Sequence, residues 1–313
     1  MTKQITNQIM MIRPVAFHMN EQTAVNNYYQ QSAGNVEADV IQDEALKQFD
    51  QFVGRLRSEG VNVTVFNDTP DPATPDSIFP NNWISFHENK SIRLYPMYAA
   101  NRRQERREDI LDAIKSDFQV ENVISFAKWE EKSAYLEGTG SLLLDRQNKI
   151  AYAAISERTM QEPLQDFCDE AGYTAVAFHA NQTVDGKRLP IYHTNVMMCL
   201  GEAFAVVCME SIDDGNEREE LAGSLEKTNK ELIEISESQK EQFAGNMLQV
   251  EGADESRLVV MSSAAYHSLS EEQKRRLEKH GKLVHSDIKT IEKLGGGSAR
   301  CMMAEVFLPK NEG

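Results

Sequence analysis

Ser141-Leu142-Leu143-Leu144-Asp145-Arg146-Gln147-Asn148-Lys149-Ile150-Ala151-Tyr152-Ala153-Ala154 contains two short apolar runs separated by a polar turn. Runs of this length, bounded by Asp and Asn, predict a β-hairpin. Behind it, Ser156 to Ala171 carries helical spacing, and Thr174 to Phe178 is apolar and short enough for a strand. The order is hairpin, helix, strand.

Working outward, the same order recurs. Trp83–Phe86 and Ser91–Tyr95 predict a hairpin around His87-Glu88-Asn89-Lys90, followed by an amphipathic helix over Arg102 to Phe118 and a strand over Val123 to Phe126. Val196–Leu200 and Ala203–Met209 predict a third hairpin, followed by a long, strongly charged helical stretch from Arg218 to Phe243, taken as a solvated insertion over about 212–250. Strand Leu258–Met261, helix Ser270–His280 and strand Leu283-Val284 come next. Near the start, Ile9 to Phe17 predicts a strand broken by Pro14, Asp39 to Glu59 a helix stopped by Gly60, and Val61 to Phe66 a strand. A unit recurring at about 60 residues points to a pseudo-symmetric α/β array in one domain spanning 1–313, not to two unlike domains. A doubly wound dinucleotide-binding sheet would need a glycine-rich phosphate loop after an early strand, and there is none.

Composition narrows the function. The chain has 313 residues, 41% hydrophobic and 26% charged, with a net charge of −16. Nucleic-acid partners are disfavoured, because they need a basic stripe, and so are anionic membranes. No apolar run approaches the roughly 18–20 residues of a bilayer span. The start of the chain lacks a secretory leader, so a cytoplasmic location is expected. Of the cysteines, Cys168, Cys199 and Cys208 sit in helix-like or strand-like apolar patterns and are expected to pack. No CxxC pair suggests a metal, so neither metal nor cofactor is expected.

Cys301 differs. It follows Gly295-Gly296-Gly297-Ser298-Ala299-Arg300 and opens an apolar run through Phe307 that predicts a strand. A loop gives access and a strand gives rigidity, which suits a nucleophile. Polar clusters also precede the hairpins: Asp76 to Trp83, Leu136 to Ser141 with Glu137, and Tyr192 to Val196 with His193. If the units stand round an axis, these clusters meet at one end. A thiolate beside an imidazolium is an activated nucleophile, and the imidazole can then serve as general acid. Glu137 could orient His193 or accept an N–H of a planar substrate. Taken singly, Asn81-Asn82 could only make a turn and His193 could be structural. Their joint placement argues for a site.

Arg13-Pro14, the Asp76–Asn82 loop, Asn101-Arg102-Arg103, Glu137-Gly138, Ser156-Glu157-Arg158-Thr159, His193 and Cys301 together resemble the guanidino-group-modifying superfamily of arginine deiminases, dimethylarginine dimethylaminohydrolases and amidinotransferases. Arg13 to Asn20, Phe79-Pro80-Asn81-Asn82-Trp83 and His193-Thr194-Asn195 look most like the bacterial citrulline-utilisation hydrolases. The resemblance implies a five-bladed α/β propeller of ββαβ modules (a pentein). It implies Cys301 as nucleophile at a guanidinium or ureido carbon, His193 as acid/base and Glu137 as acceptor of a substrate N–H. Arg102 (or Arg103) and Arg158 would grip the substrate carboxylate, and Asp76 its amino-acid end. Arginine-processing relatives carry acids where this chain has Asn81-Asn82, and deiminases an aspartate where it has Asn195. An amide would leave a desolvated cation poorly paired, whereas a urea offers both donors and an acceptor that Asn can meet. The expected reaction is hydrolysis of citrulline to ornithine, ammonia and carbon dioxide. Amidino transfer, arginine deimination and an inert ligand-binding propeller are the alternatives. Partners are a small amino acid and, at most, a second copy in a homodimer. Met19 to Gln31 is a candidate lid.

Overall fold

The computed structural model describes residues 2–34 and 36–311. Met1, Asn35, Glu312 and Gly313, all inside the expected 1–313 domain, lie outside the described residues. Strand β1 (Gln8–Arg13) ends one residue before Pro14, whose ring removes a ladder donor. The helix Ala38–Ser58 follows, burying Ile41, Ala45, Phe49, Phe52, Val53 and Leu56 on one face. It returns the chain to β2 (Asn62–Asn67), parallel to β1.

Four further units repeat one order. In the first, β3 (Ile84–Phe86) pairs antiparallel with β4 (Ser91–Leu94), and a helix over Glu108–Asp117 leads to β5 (Asn122–Ser125), parallel to β4. In the second, β6 (Leu143–Asp145) and β7 (Ile150–Ala154) form the hairpin, the helix Gln161–Ala171 follows, and β8 (Thr174–Phe178) pairs parallel with β7. An extra hairpin, β9 (Asn181–Val184) with β10 (Lys187–Pro190), intervenes. The third unit is β11 (Met198–Leu200), β12 (Phe204–Val207), the helix Gly215–Lys227 and β13 (Glu231–Glu234). The last complete unit is β14 (Leu248–Glu251), β15 (Arg257–Ser262), the helix Glu271–Glu278 and β16 (Lys282–Ser286). Strand β17 (Ala304–Glu305) then joins β1 antiparallel, so the end of the chain completes the sheet that its start began. Among the described residues there are thus five three-stranded sheets of one design and one two-stranded hairpin. First strands pack on first strands: β6 against β11, β11 against β14, and β17 against β3.

The α/β repeat expected from the hairpin–helix–strand order is therefore present. Four expectations need correction. The charged insertion over 212–250 is not one: helix, strand β13 and the short helix Glu237–Lys240 are the third unit's own second half. The helix stops at Lys227 because Asn229 turns into the left-handed region, at φ 56°. Strand β13 looks helical in sequence because its flanking glutamates stay outside, Glu231 pairing with Arg276 and His280. The helix expected over Arg102 to Phe118 begins at Glu108, since Asn101–Glu105 is a separate 3-10 turn pinned by buried Arg102. The helix expected from Ser156 begins at Gln161, after a turn in which Ser156 and Thr159 bond to each other. The strand expected from Cys301 shrinks to Ala304–Glu305, and Cys301 itself lies on a turn whose N–H bonds to the Ser298 carbonyl.

What positions the site is a set of tight turns ahead of the first strands. Pro80–Asn82 precedes β3, Gly138–Ser141 precedes β6 and Thr194–Met197 precedes β11. The Gly138–Ser141 turn packs against both of the others. Gly138 sits at φ +46°, and a Cβ there would collide with the Asn81 carbonyl oxygen. Gly138→Ala should therefore lower the free energy of unfolding by at least about 2 kcal/mol, since a left-handed backbone and a clash with backbone combine. Gly172→Ala, also left-handed at φ +70° but with open space around it, should cost about 1 kcal/mol. Urea titrations of the two variants check the difference.

Candidate active site

Cys301, His193, Asn82, Arg102, Arg158 and Asp76 line one small, narrow cavity, with Asn27, Phe79, Tyr192, Gly295 and Gly297 completing its wall. The sequence placed six of these residues in one site, and the fold brings them together. Cys301 is 3% exposed, so burial alone would class it with the packing cysteines. Its surroundings separate it from them. The Nδ2 groups of Asn195 and Asn246 donate to its Sγ, at 3.3 and 3.2 Å. By contrast, burial pushes the Cys199 thiol up to about 12 and that of Cys168 up to about 11. Those two behave as packing residues.

Asn246 was not a sequence candidate. It occupies the turn just ahead of β14, the place in its unit that Asn82 holds ahead of β3 and Asn195 ahead of β11. Its amide also donates to the Asn195 carbonyl at 2.8 Å and accepts the Arg300 N–H at 2.9 Å. Gly245 makes this approach feasible, since a Cβ there would collide with the Val196 carbonyl. The signal is positional: the expected insertion over about 212–250 spans Asn246 and hides the fifth turn of the repeat.

His193 Nε2 lies 2.7 Å from Glu137 Oε2. The other Glu137 oxygen accepts the Tyr98 N–H at 2.9 Å. Glu137 is fully buried, and Arg158 Nη1 and Arg102 Nη1 stand 3.7 and 4.0 Å from it. Burial works against its charge, but Arg158, His193 and Arg102 outweigh it and hold the carboxyl down to about 2. Each Glu137 oxygen holds one protein partner and the residue is not among those lining the cavity, so in this structure the carboxylate orients the imidazole. His193 is itself lowered to about 4, burial overcoming the pull of Glu137. At neutral pH the ring is uncharged. A carboxylate on Nε2 selects the tautomer protonated there, leaving Nδ1 as a base. The expected resting imidazolium is thus replaced by a neutral imidazole that becomes charged only on taking a proton.

Asn81 is also corrected: it does not line the cavity but braces the turn, its Nδ2 donating to Thr139 Oγ1 and its Oδ1 accepting from Asn82. Asn82 Oδ1 accepts from Arg102 Nη1 at 2.8 Å, which fixes the amide orientation and leaves one Nδ2 hydrogen free. Of the two adjacent arginines, Arg102 lines the cavity; it is 2% exposed, bidentate to Glu105 and bonded to the Asp76 and Phe79 carbonyls. Burial opposes the Arg102 cation, but Glu105, Asp76 and Glu137 more than offset it. Arg103 faces away, to the Met97 and Tyr98 carbonyls.

The segment 19–31 covers the cavity. Asn20 Nδ2 and Thr23 Oγ1 donate to Asp76 Oδ2, at 2.8 and 3.0 Å. Arg158 Nε donates to Asn26 Oδ1, and its Nη2 to the Thr23 carbonyl. Asn27 bonds to the Gly295 and Gly296 carbonyls, and Tyr192 Oη donates to the Gly296 carbonyl at 2.5 Å. Among the described residues, Asp76 Oδ1, on the cavity, and Asn195 Oδ1, beside the sulfur's donor amide, have no hydrogen-bond partner. A buried orphan on a cavity is where a ligand's N–H group belongs.

Two outcomes follow from this geometry. Asn246→Ala removes a donor to the sulfur and should slow iodoacetamide alkylation of Cys301 at neutral pH about tenfold or more, as loss of a hydrogen bond to a charged group implies. A rate equal to that of wild type would mean the contact is passive. An imidazole that protonates near 6.5 in the unfolded chain and near 4 in the fold makes the unfolded state bind more protons between those values. Stability therefore falls as pH drops from about 6.5 to about 4. His193→Gln should flatten that part of the curve of urea midpoint against pH.

The sequence profile of the family described as N,N dimethylarginine dimethylhydrolase, eukaryotic, matches residues 13–308. No curated protein matches the chain. Solved structures of similar fold include the N-terminal domain of ArgZ, a cyanobacterial arginine dihydrolase of the ornithine–ammonia cycle, as a mutant bound to substrate. Its TM-score is 0.73 at 18% identity, over 96% of this chain and 98% of that one. The chain spans 41% of full-length ArgZ. AgrE, in complex with ornithine and NAD+, matches with a TM-score of 0.70 and 18% identity, over 97% of this chain and 40% of that one. A dimethylarginine dimethylaminohydrolase mutant, as an adduct with S-methyl-L-thiocitrulline, matches with a TM-score of 0.66 and 16% identity, over 97% of this chain and 100% of that one. The profile covers nearly all of the described residues and the folds agree from end to end: the chain belongs to the dimethylarginine dimethylaminohydrolase family, within the superfamily of guanidino-group-modifying enzymes.

Proposed function

We propose that the chain is a cysteine hydrolase of a ureido amino acid, citrulline, built as a single five-bladed α/β propeller. The five like sheets, the packing of first strand on first strand and the closure of β17 onto β1 support the ring. The observation that carries the substrate is the chemistry around the sulfur: both side chains donating to Cys301 Sγ are neutral amides, Asn195 and Asn246. Beside the sulfur a guanidinium would meet only these amides, a mismatch costing several kcal/mol in a desolvated pocket; the unpartnered carboxylate oxygen on the cavity, Asp76 Oδ1, is given on this reading to the α-amino group. A neutral ureido group needs no counter-charge and meets a donor in the spare hydrogen of Asn82, which lines the cavity; Asn195, which does not line it, keeps an amide oxygen without a partner among the described residues behind the sulfur.

In the reaction, His193 Nδ1 takes the Cys301 proton and the sulfur attacks the ureido carbon. The tetrahedral adduct collapses as His193 returns the proton to the departing nitrogen. Ammonia leaves and a thiocarbamate remains. Water, deprotonated by His193, then attacks that carbon and expels the thiol. The carbamate breaks down to carbon dioxide and ornithine, so one citrulline and one water give ornithine, ammonia and carbon dioxide. Arg158 Nη1, which makes no hydrogen bond in the structure, together with Arg102, receives the substrate carboxylate. Asp76 Oδ1 receives the α-amino group.

A second reading, hydrolysis of an arginine-type guanidinium, draws on one observation: Asp76 Oδ1 is an unpartnered carboxylate oxygen on the cavity. The two separate in one assay. Purified protein should release ornithine and ammonia from citrulline, with kcat/KM for arginine lower by about 100-fold or more. Cys301→Ala should abolish turnover, and Asn82→Asp should lower citrulline turnover by forming an ion pair with Arg102. Turnover of arginine without turnover of citrulline would overturn the substrate assignment.

A further inference from the structure

A second concave site lies at the other ends of the same strands. β3 starts beside Asn82 and ends at Phe86; β6 starts beyond the Gly138–Ser141 turn and ends at Asp145. The residues that follow, His87 and Arg146, line a separate cavity of about 230 Å³ with Arg93, Lys149 and Tyr173. None of these belongs to the Cys301 cavity.

The cavity floor is built, not incidental. Arg93, Arg146 and His87 are 2%, 4% and 6% exposed. Arg93 is the one cation with a carboxylate, donating from Nε to Glu170 at 2.7 Å and from Nη1 to Ser91 Oγ. Arg146 has none: among the described residues no acid lies within ion-pair distance of it or of Lys149. Its guanidinium stacks on the Phe307 ring at 3.9 Å, and its one side-chain hydrogen bond runs from Nη1 to His87 Nδ1 at 3.4 Å. That bond requires a neutral His87, whose Nε2 is taken by Ser85 Oγ at 2.7 Å. Burial together with Arg146, Arg93 and Lys149 holds His87 well below the ordinary histidine range. Lys149 sits at the rim, over Tyr173. The rim acid, Glu88, accepts the Lys3 backbone N–H.

A buried guanidinium without a counter-charge is costly, and a cluster of three cations repels itself. In a chain of net charge −16 such a cluster is not average surface. Arg146 lines the cavity with guanidinium N–H groups that take no other acceptor among the described residues, and such a fork suits a planar or tetrahedral oxyanion.

We propose that this cavity binds a small oxyanion, a phosphate or carboxylate group, between Arg93, Arg146 and Lys149. The site is independent of the citrulline reading.

The test is isothermal titration of the full chain at low ionic strength with inorganic phosphate and, in a second arm, with acetate; chloride at matched ionic strength is the control. Saturable binding tighter than about 1 mM is expected. Which arm binds more tightly assigns the group. Lys149→Ala, an exposed change, should weaken binding several-fold, and Arg146→Gln by about tenfold or more. Citrulline turnover and urea midpoint measured without anion should be unchanged in Lys149→Ala, which keeps the test valid if Arg146→Gln fails to fold. Absence of saturable binding in both arms, or undiminished affinity in Lys149→Ala and in a folded Arg146→Gln, would overturn the proposal.

Discussion

The contact on which the molecule turns is the pair of amide N–H groups held on Cys301 Sγ. Asn195 reaches it from the turn ahead of β11 and Asn246 from the turn ahead of β14, while Cys301 lies on the turn ahead of β17. Three units of the repeat must therefore be in register for one sulfur to be solvated by protein instead of water. Donors fixed in advance cost no reorganisation when charge develops on that sulfur. Close backbone packing at Gly245 exists to permit this approach.

The other units supply the complementary half. Glu137 selects the tautomer of His193, and its charge is sustained by Arg158 and Arg102. Those arginines in turn tie the first layer to Asp76, Asn82 and the covering segment 19–31. The segment's polar atoms, Asn26 Oδ1 and the Thr23 carbonyl, occupy the Nε and Nη2 side of Arg158. Segment 19–31 and the two buried arginines are thus one hydrogen-bonded network.

Much of this was legible in the sequence. Short apolar runs separated by Asp, Asn and Gly punctuation gave the hairpins, because period and turn chemistry agree locally there. Cys301 and His193 stood out because each follows a polar turn at an equivalent place in the repeat. What was hidden depended on neighbours distant in sequence. Strand β13 was concealed by its charged ends, which are satisfied by Arg276 and His280 on another unit. Asn246 was hidden by the same misreading. Asn81 and Asn82 are adjacent and alike, and only packing against Thr139 and Arg102 assigns one to support and the other to the cavity. Arg102 and Arg103 are likewise separated by burial alone, and the choice between the two roles of Glu137 waited on its partners.

The central claim, that an uncharged urea carbon is presented to Cys301, is tested most directly by a crystal structure of Cys301→Ala soaked with citrulline. The account predicts the ureido carbon within about 3–4 Å of the place vacated by the sulfur, a near-attack separation. It also predicts the ureido oxygen on Asn82 Nδ2 and the carboxylate on Arg158. A ureido group pointing away from position 301, or arginine bound in preference with its guanidinium on Asp76, would contradict it.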